Sequence, residues 1–239
     1  MTEFYGHSRA CPDGWGLAVF RGNSVSLEKE PVKASKSVYL AQRLSWDVKA
    51  KNLFAHIRKA TIGFMDYSNC HPFVWDDGSG RTWTLMHNGT LFDSGMVLPY
   101  RFRQEGTTDS EGILLHLVDR IDRETERTGR VLSAEERFRL IDEIVVRLAE
   151  GNKLNLFIYD GEQMYLHTNQ KGTLYIRSMD GCSVFSTKPL TAGDWEPVGM
   201  NRLLAFRDGE QIFSGTKHDF EFFEEDHDLS LLYAAFSGL

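Results

Sequence analysis

Cysteine is scarce: Cys11, Cys70 and Cys182 lie far apart along the chain. An odd count without a CxxC pair excludes a disulfide framework and a zinc ribbon, and reduced thiols in a cytoplasm are the simplest reading. Positive charge is in the minority. Lys and Arg number 27 against 34 Asp and Glu, a net charge of -7. No basic cluster offsets it, so neither a nucleic-acid backbone nor an anionic membrane suits this surface. No apolar run is long enough to span a bilayer. Residues 1–9 are polar and aromatic, unlike a signal peptide. Linkers, low-complexity stretches and internal repeats are lacking too, so residues 1–239 read as one domain. Its tail, residues 218–239, is acidic and then apolar, as a docking helix or a partly ordered end would be.

Against these absences stands ordinary globular composition, 41% hydrophobic and 26% charged, enough to fill a sizeable core. The turn Pro12-Asp13-Gly14 leads into a strand over residues 15–20 (WGLAVF), and Arg21-Gly22-Asn23 turns into residues 24–27. Residues 35–44 suit a short amphipathic helix. Residues 52–58 (NLFAHIR) alternate, with Leu53, Ala55 and Ile57 on one face and Phe54, His56 and Arg58 on the other. Residues 81–87 (RTWTLMH) form another strand, ending at Asn88-Gly89. Thr108-Asp109-Ser110-Glu111 has the form of a capping box, ahead of the stripe Ile113, Leu114, Leu117, Val118 and Ile121. Ser133 and Glu136 open a second helix, carrying Phe138, Ile141, Ile144, Val145 and Leu148. Strands then return over residues 154–159, 163–168, 173–176, 183–186, 202–207 and 211–213, with hairpin turns at Asp160-Gly161 and Asp208-Gly209. Strands, two helices and more strands indicate α+β layers rather than a parallel βαβ sheet.

Polar residues collect at strand ends and at a helix start, where loops converge. Asn88 and the Gly89 N–H could donate two hydrogen bonds to one oxygen, as an oxyanion hole requires, although Asn-Gly is also a common tight turn. Arg58 ends a largely apolar strand. Its guanidinium suits a carboxylate held bidentately, with Thr61 adding a hydroxyl, and a surface salt bridge is the plainer alternative. Asp109 in the first turn of a helix is favoured by the dipole, or else holds a substrate ammonium. An Arg and an Asp together would read the α-groups of an amino acid. Cys70-His71, with His56 and His87, offers four metal ligands in number, but their spacing fits no usual zinc pattern. The absence of GxSxG excludes the usual serine-hydrolase elbow.

Taken in order, Pro12-Asp13-Gly14-Trp15-Gly16, residues 56–61, 69–73, 87–89, 106–111 and 186–190 resemble the stand-alone class II glutamine amidotransferases, which are Ntn-type amidohydrolases. The resemblance covers roughly residues 3 to 207, judged from motif order. It implies a four-layer αββα sandwich and hydrolysis of glutamine or a small γ-glutamyl amide through an acyl-enzyme. It implies that Arg58 and Thr61 hold the substrate α-carboxylate and Asp109 its α-amine. Asn88 and Gly89 would form the oxyanion hole, His71 would line the glutamine pocket, and Trp15 and Gly16 would lie beside the nucleophile strand. No metal and no cofactor is implied. The partners expected are the small substrate, and a synthase or a second copy of the chain.

One departure is serious. The family's nucleophile is a cysteine directly after the initiator Met, whereas position 2 here is Thr. Residues 2–9 (TEFYGHSR) resemble the stretch that precedes the Asp-Gly-Trp-Gly segment, so a first strand and its following helix are expected to be missing. Three explanations follow: an incomplete N-terminus, a chain that only binds, or Thr2 as nucleophile. An intact clamp favours the first, and the closeness of Thr2 to Asp13 disfavours the last.

Overall fold

The hydrophobic pattern sorts side chains into three separate clusters, and these define the layers. The computed structural model describes residues 1–22, 24–60, 64–179 and 181–224. In chain order, α1 (Thr2–Gly6) precedes β1 (Trp15–Arg21), β2 (Ser24–Glu30), α2 (Val38–Leu44) and β3 (Asn52–Ile57). β4 (Phe73–Asp76) and β5 (Thr82–His87) lead to the long helices α3 (Asp109–Thr128) and α4 (Ala134–Ala149). The remaining strands are β6 (Asn155–Tyr159), β7 (Met164–Thr168), β8 (Tyr175–Met179), β9 (Cys182–Ser186), β10 (Glu196–Pro197), β11 (Leu204–Arg207) and β12 (Glu210–Ser214).

One sheet has six strands in the order β12-β11-β7-β6-β5-β4, and two smaller sheets have the orders β2-β1-β3 and β10-β8-β9. All named strand pairs are antiparallel. The two-residue period of a strand splits each side-chain set between faces. Leu156 and Ile158 of β6 pack with the apolar stripes of α3 and α4. Phe157 and Tyr159 of the same strand face Ala18, Phe20 and Phe54 of the smaller sheet. Trp15, Leu17 and Val19 point the other way, onto Tyr5 of α1 and Leu40 of α2. The layers therefore run helices, six-stranded sheet, three-stranded sheets, helices: an α+β, αββα sandwich. β1 is buried through Phe20 because both of its faces are covered.

The helix stripes expected from the sequence are the buried ones. At α4 the capping box is complete, with the Ser133 Oγ accepting from Glu136 N–H and the Glu136 carboxylate accepting from Ser133 N–H. At α3 only half of it forms. Thr108 Oγ1 accepts from Glu111 N–H, but the Glu111 carboxylate accepts from Glu105 N–H at 2.7 Å and Gly106 N–H at 2.8 Å. The helix expected at residues 35–44 begins later, at Val38, where the Ser37 side chain caps it. β4, β10 and α1 were not anticipated by the pattern.

Candidate active site

The candidate residues lie at one end of the sandwich, where β1 starts and β3 and β5 finish. Arg58 follows β3 directly. Its N–H donates to Gly14 O at 2.8 Å and its carbonyl accepts from Asp13 N–H at 3.0 Å, which prolongs the β1–β3 ladder and fixes the side chain's root. Asp13 Oδ2 accepts from Ala60 N–H at 2.8 Å and ties down the turn that follows. Arg58 is 3% exposed. Its Nη1 donates to Phe64 O at 3.3 Å. Thr61, the expected companion of Arg58, lies outside the described residues.

Asn69 continues this path. It is buried, and its Nδ2 donates to the same Phe64 carbonyl at 3.0 Å, while its Oδ1 accepts from Thr107 N–H at 2.7 Å. Thr107 abuts the cap of α3. A chain of hydrogen bonds thus runs from Arg58 through Phe64, Asn69 and Thr107 to the segment that carries Asp109. Asp109 is half-buried. Its Oδ2 accepts from Leu91 N–H at 2.7 Å, so it also anchors the loop after Asn88-Gly89.

That loop is braced from beneath. His87 Nε2 lies 3.1 Å from Lys153 O, and a carbonyl only accepts, so this nitrogen carries the proton. His87 Nδ1 then faces the Ser110 hydroxyl at 3.1 Å, which also lies 3.2 Å from Asp109 Oδ1. Asn88 N–H donates to Asn155 O at 2.9 Å, leaving its side chain exposed at the strand end. A Cβ at Gly89 would overlap Lys153 O and His87 Nε2, so only glycine fits.

The third wall is the Cys70-His71-Pro72 loop. A Cβ at Gly16 would overlap the His71 carbonyl, and one at Gly14 would press on Cys70 Sγ at 2.7 Å. β1 can approach this loop only because both positions lack a side chain. The His71 ring packs on His56 (centroids 4.3 Å apart) and on Phe73 (4.7 Å). Neither nitrogen of His71, nor His56 Nδ1, has a hydrogen-bond partner among the described residues. Burial, reinforced by Arg58 and His87, holds His56 down to about 3. Burial, with His56 and His87 beside it, holds His71 well below the usual imidazole range. Burial also lowers His87, although Asp109 pulls the other way. The cluster is therefore neutral at physiological pH. The Cys70 thiol, fully buried, is pushed up and stays protonated.

The structure gathers Arg58, His71, Asn88, Gly89, Asp109 and Gly16 around this end, but not the Trp15 ring. That ring points to the outer helices, where Nε1 donates to Glu30 Oε2 at 3.0 Å and Tyr39 stacks on it. Cys70, His71, His56 and His87 do not converge as ligands: among the described residues no group of three or more His, Cys, Asp or Glu is placed to hold one metal ion. Sequence reasoning gave no role to Asn69, and to Glu111 only that of closing a capping box, not of holding the Glu105 and Gly106 amides. The only signal was that both fall within the ordered motifs.

The family model of the class-II glutamine amidotransferases matches residues 3–180. The chain is 30% identical over 227 residues to YafJ of Escherichia coli, named as a candidate glutamine amidotransferase, covering 84% of this chain and 87% of YafJ. Its fold is similar to that of a predicted glutamine amidotransferase from Pseudomonas aeruginosa, with a TM-score of 0.63 and 22% identity over 84% of this chain and 87% of the other. It is also similar to glutamine phosphoribosylpyrophosphate amidotransferase from B. subtilis, with a TM-score of 0.62 and 19% identity over 89% of this chain and 45% of that one. On the strength of the family match, this chain belongs to the class-II glutamine amidotransferases.

Proposed function

We propose that this site binds glutamine or a small γ-glutamyl amide by its α-groups, and that its chemistry is hydrolysis of the γ-amide through an acyl-enzyme. The supporting observation is the hydrogen-bonded path from Arg58 through Phe64, Asn69 and Thr107 to the Asp109 segment. It holds a cation for the α-carboxylate and an anion for the α-ammonium in one frame. Thr61 adds a hydroxyl to the carboxylate side. Asn88 Nδ2 and the Gly89 N–H receive the oxyanion. His71 lines the side-chain pocket, and its neutral ring meets an uncharged amide without a charge penalty.

Acyl transfer needs a nucleophile. A thiol attacks the γ-carbonyl as its proton passes to a base, the tetrahedral oxyanion collapses as that proton is given to the leaving nitrogen to release ammonia, and water hydrolyses the thioester to glutamate and the free thiol. Among the described residues no group is placed for this. Thr2 is exposed on α1 in the outer helical layer, and the Cys70 thiol is buried and protonated. The 1–239 polypeptide is therefore expected to bind without turning over, and ammonia delivery to a partner synthase would require a supplied nucleophile. The same observation favours a second reading, a non-catalytic module that senses an amino acid or γ-glutamyl compound.

Calorimetry with glutamine, glutamate and γ-glutamyl peptides tests the clamp. Arg58→Ala and Asp109→Asn should each weaken binding by roughly ten- to a hundred-fold, the worth of one charge-assisted hydrogen bond. Unchanged affinity in both would refute the clamp. Fusing the Cys-led N-terminal segment of a family member ahead of residue 1 separates the two readings: glutaminase activity supports the enzyme, and binding without turnover supports the sensor.

A further inference from the structure

Residues 215–224 lie beyond the family match, which ends at residue 180, and the proposed reaction uses none of them. They form no regular element, yet they are fastened along their length. Gly215 N–H donates to Leu203 O at 2.8 Å, and Thr216 donates to the Asp142 carboxylate from its N–H at 3.0 Å and its hydroxyl at 2.8 Å. His218 N–H donates to Asn201 O at 3.0 Å, and Phe222 N–H donates to Asn169 O at 2.8 Å.

Asn169 is the hub. It is fully buried, and its Nδ2 donates to Phe220 O at 3.0 Å and to Asn152 O at 2.8 Å, while its Oδ1 accepts from Leu154 N–H at 2.8 Å. One side chain therefore joins the tail to residues 152–154. Those residues carry the loop of Asn88 and Gly89. Thr90 N–H donates to Lys153 O at 3.0 Å, Lys153 N–H donates to Thr90 O at 3.1 Å, and Asp93 N–H donates to Asn152 Oδ1 at 2.8 Å. The tail also touches this loop directly, for the Phe222 ring stacks on Phe92 with centroids 5.5 Å apart. Beside it Glu224 pairs with the Lys153 ammonium at 3.5 Å.

We infer that residues 215–224 are a positioning strap for the 88–93 loop, locked by the hydrogen-bonded pair His167–His218. The lock has one proton arrangement. His167 Nδ1 donates to Leu154 O at 2.8 Å, because a carbonyl only accepts, so His167 Nε2 is bare. Phe220 N–H donates to His218 Nδ1 at 3.2 Å, so His218 Nε2 carries the proton and donates to His167 Nε2 at 3.0 Å. A further proton on either ring turns an acceptor into a donor facing a donor. Burial opposes that proton, taking His167 to about 3 and lowering His218. Around His218, Asp142 and Asp219 favour the charged ring and Lys217 opposes it; around His167, His218 and His87 oppose it while the Leu154 carbonyl favours it. Both rings bind protons more readily once released. The strap is therefore at full strength above about pH 6.5 and weakens as pH falls below it.

The strap's effect on substrate rests on the reading proposed above, but its mechanical role does not. Hydrogen exchange on the full chain, corrected for intrinsic rates, measures the latter, with the β5–β6 ladder as internal control. Phe222→Ala and His218→Ala should deprotect the Phe220 and Phe222 amides and cut protection at Thr90 and Asp93 about tenfold, leaving the control unchanged. Phe222→Tyr should restore it. Going from about pH 8 to about pH 5.5 should reproduce the loss at the Phe220 and Phe222 amides in the wild type but not add to it there in His218→Ala. A freed tail over an unchanged loop would overturn the inference, as would a tail that stays protected in both variants. Glutamine calorimetry on the same proteins keeps the two questions apart. A wild type that binds nothing sinks the substrate reading while exchange still judges the strap; a strap variant that frees the loop should bind about tenfold more weakly.

Discussion

Gly16 illustrates how little freedom single residues have at this end of the sandwich. It belongs to the face of β1 that meets the His71 carbonyl, and the smallest side chain overlaps that backbone. Gly16→Ala should therefore cost about 1–3 kcal/mol in urea unfolding, because β1 or the loop must shift. Asn69 is as constrained by polarity as Gly16 is by size. Asn69→Ala leaves Thr107 N–H without its side-chain acceptor and takes one donor from the Phe64 carbonyl, which keeps Arg58 Nη1. The expected loss is about 1–3 kcal/mol, with weaker glutamine binding as the frame between Arg58 and Asp109 loosens. An Asn69→Ala protein of full stability would show that the path does not bear on the site. Neither constraint could be read from the chain alone. Glycine and asparagine within a motif signal that something is needed there, and only the packed neighbour says what.

Elements were legible where their period had room to repeat. The stripes of α3 and α4 run over several turns, and all ten apolar positions assigned from spacing are buried. β3 likewise alternates long enough to place Phe54, His56 and Arg58 on one face. β4 (Phe73–Asp76) has only 4 residues behind Pro72, and α1 (Thr2–Gly6) only 5, too short for either period to emerge. Capping chemistry was legible by type but not by partner. Ser133→Ala should cost about 1 kcal/mol by removing one side of a closed box. At α3 the Glu111 carboxylate instead gathers the amides of Glu105 and Gly106, shaping the loop before Asp109. Glu111→Gln should consequently disturb that loop's amide resonances more than the helix itself.

At the scale of the whole molecule, titratable groups are buried at both ends of the six-stranded sheet. Away from the candidate site, Arg137 and Asp160, at 2% and 0% exposure, form an ion pair at 2.8 Å, and Glu162 joins Arg137 at 2.7 Å. Arg137→Ala would remove the buried ion pair but leave Asp160 with the Tyr165 hydroxyl, the Glu162 and Gln163 amides and Arg81 at 4.0 Å, and should cost about 2–3 kcal/mol, read as a lowered unfolding midpoint. At the site end, His56, His71 and His87 are all held below the ordinary imidazole value by burial. The unfolded chain therefore binds more protons, and stability should fall as pH drops below about 6.5 toward the folded value of about 3 for His56. A urea midpoint that is flat between about pH 7 and pH 4 would contradict these shifts. The exposed Asn88 amide also has a chemical future. A glycine after asparagine lets the backbone nitrogen close on the side chain with loss of ammonia, and water then opens the cyclic imide to aspartate or its isomer. Gly89 admits no bulkier residue to slow that step, because Lys153 O and His87 crowd it. The protein is thus bound to a dipeptide that ages. Stored samples should accumulate an acidic isoform whose site offers a carboxylate where an amide donor stood, so a preparation's history would set its apparent competence as much as its sequence does.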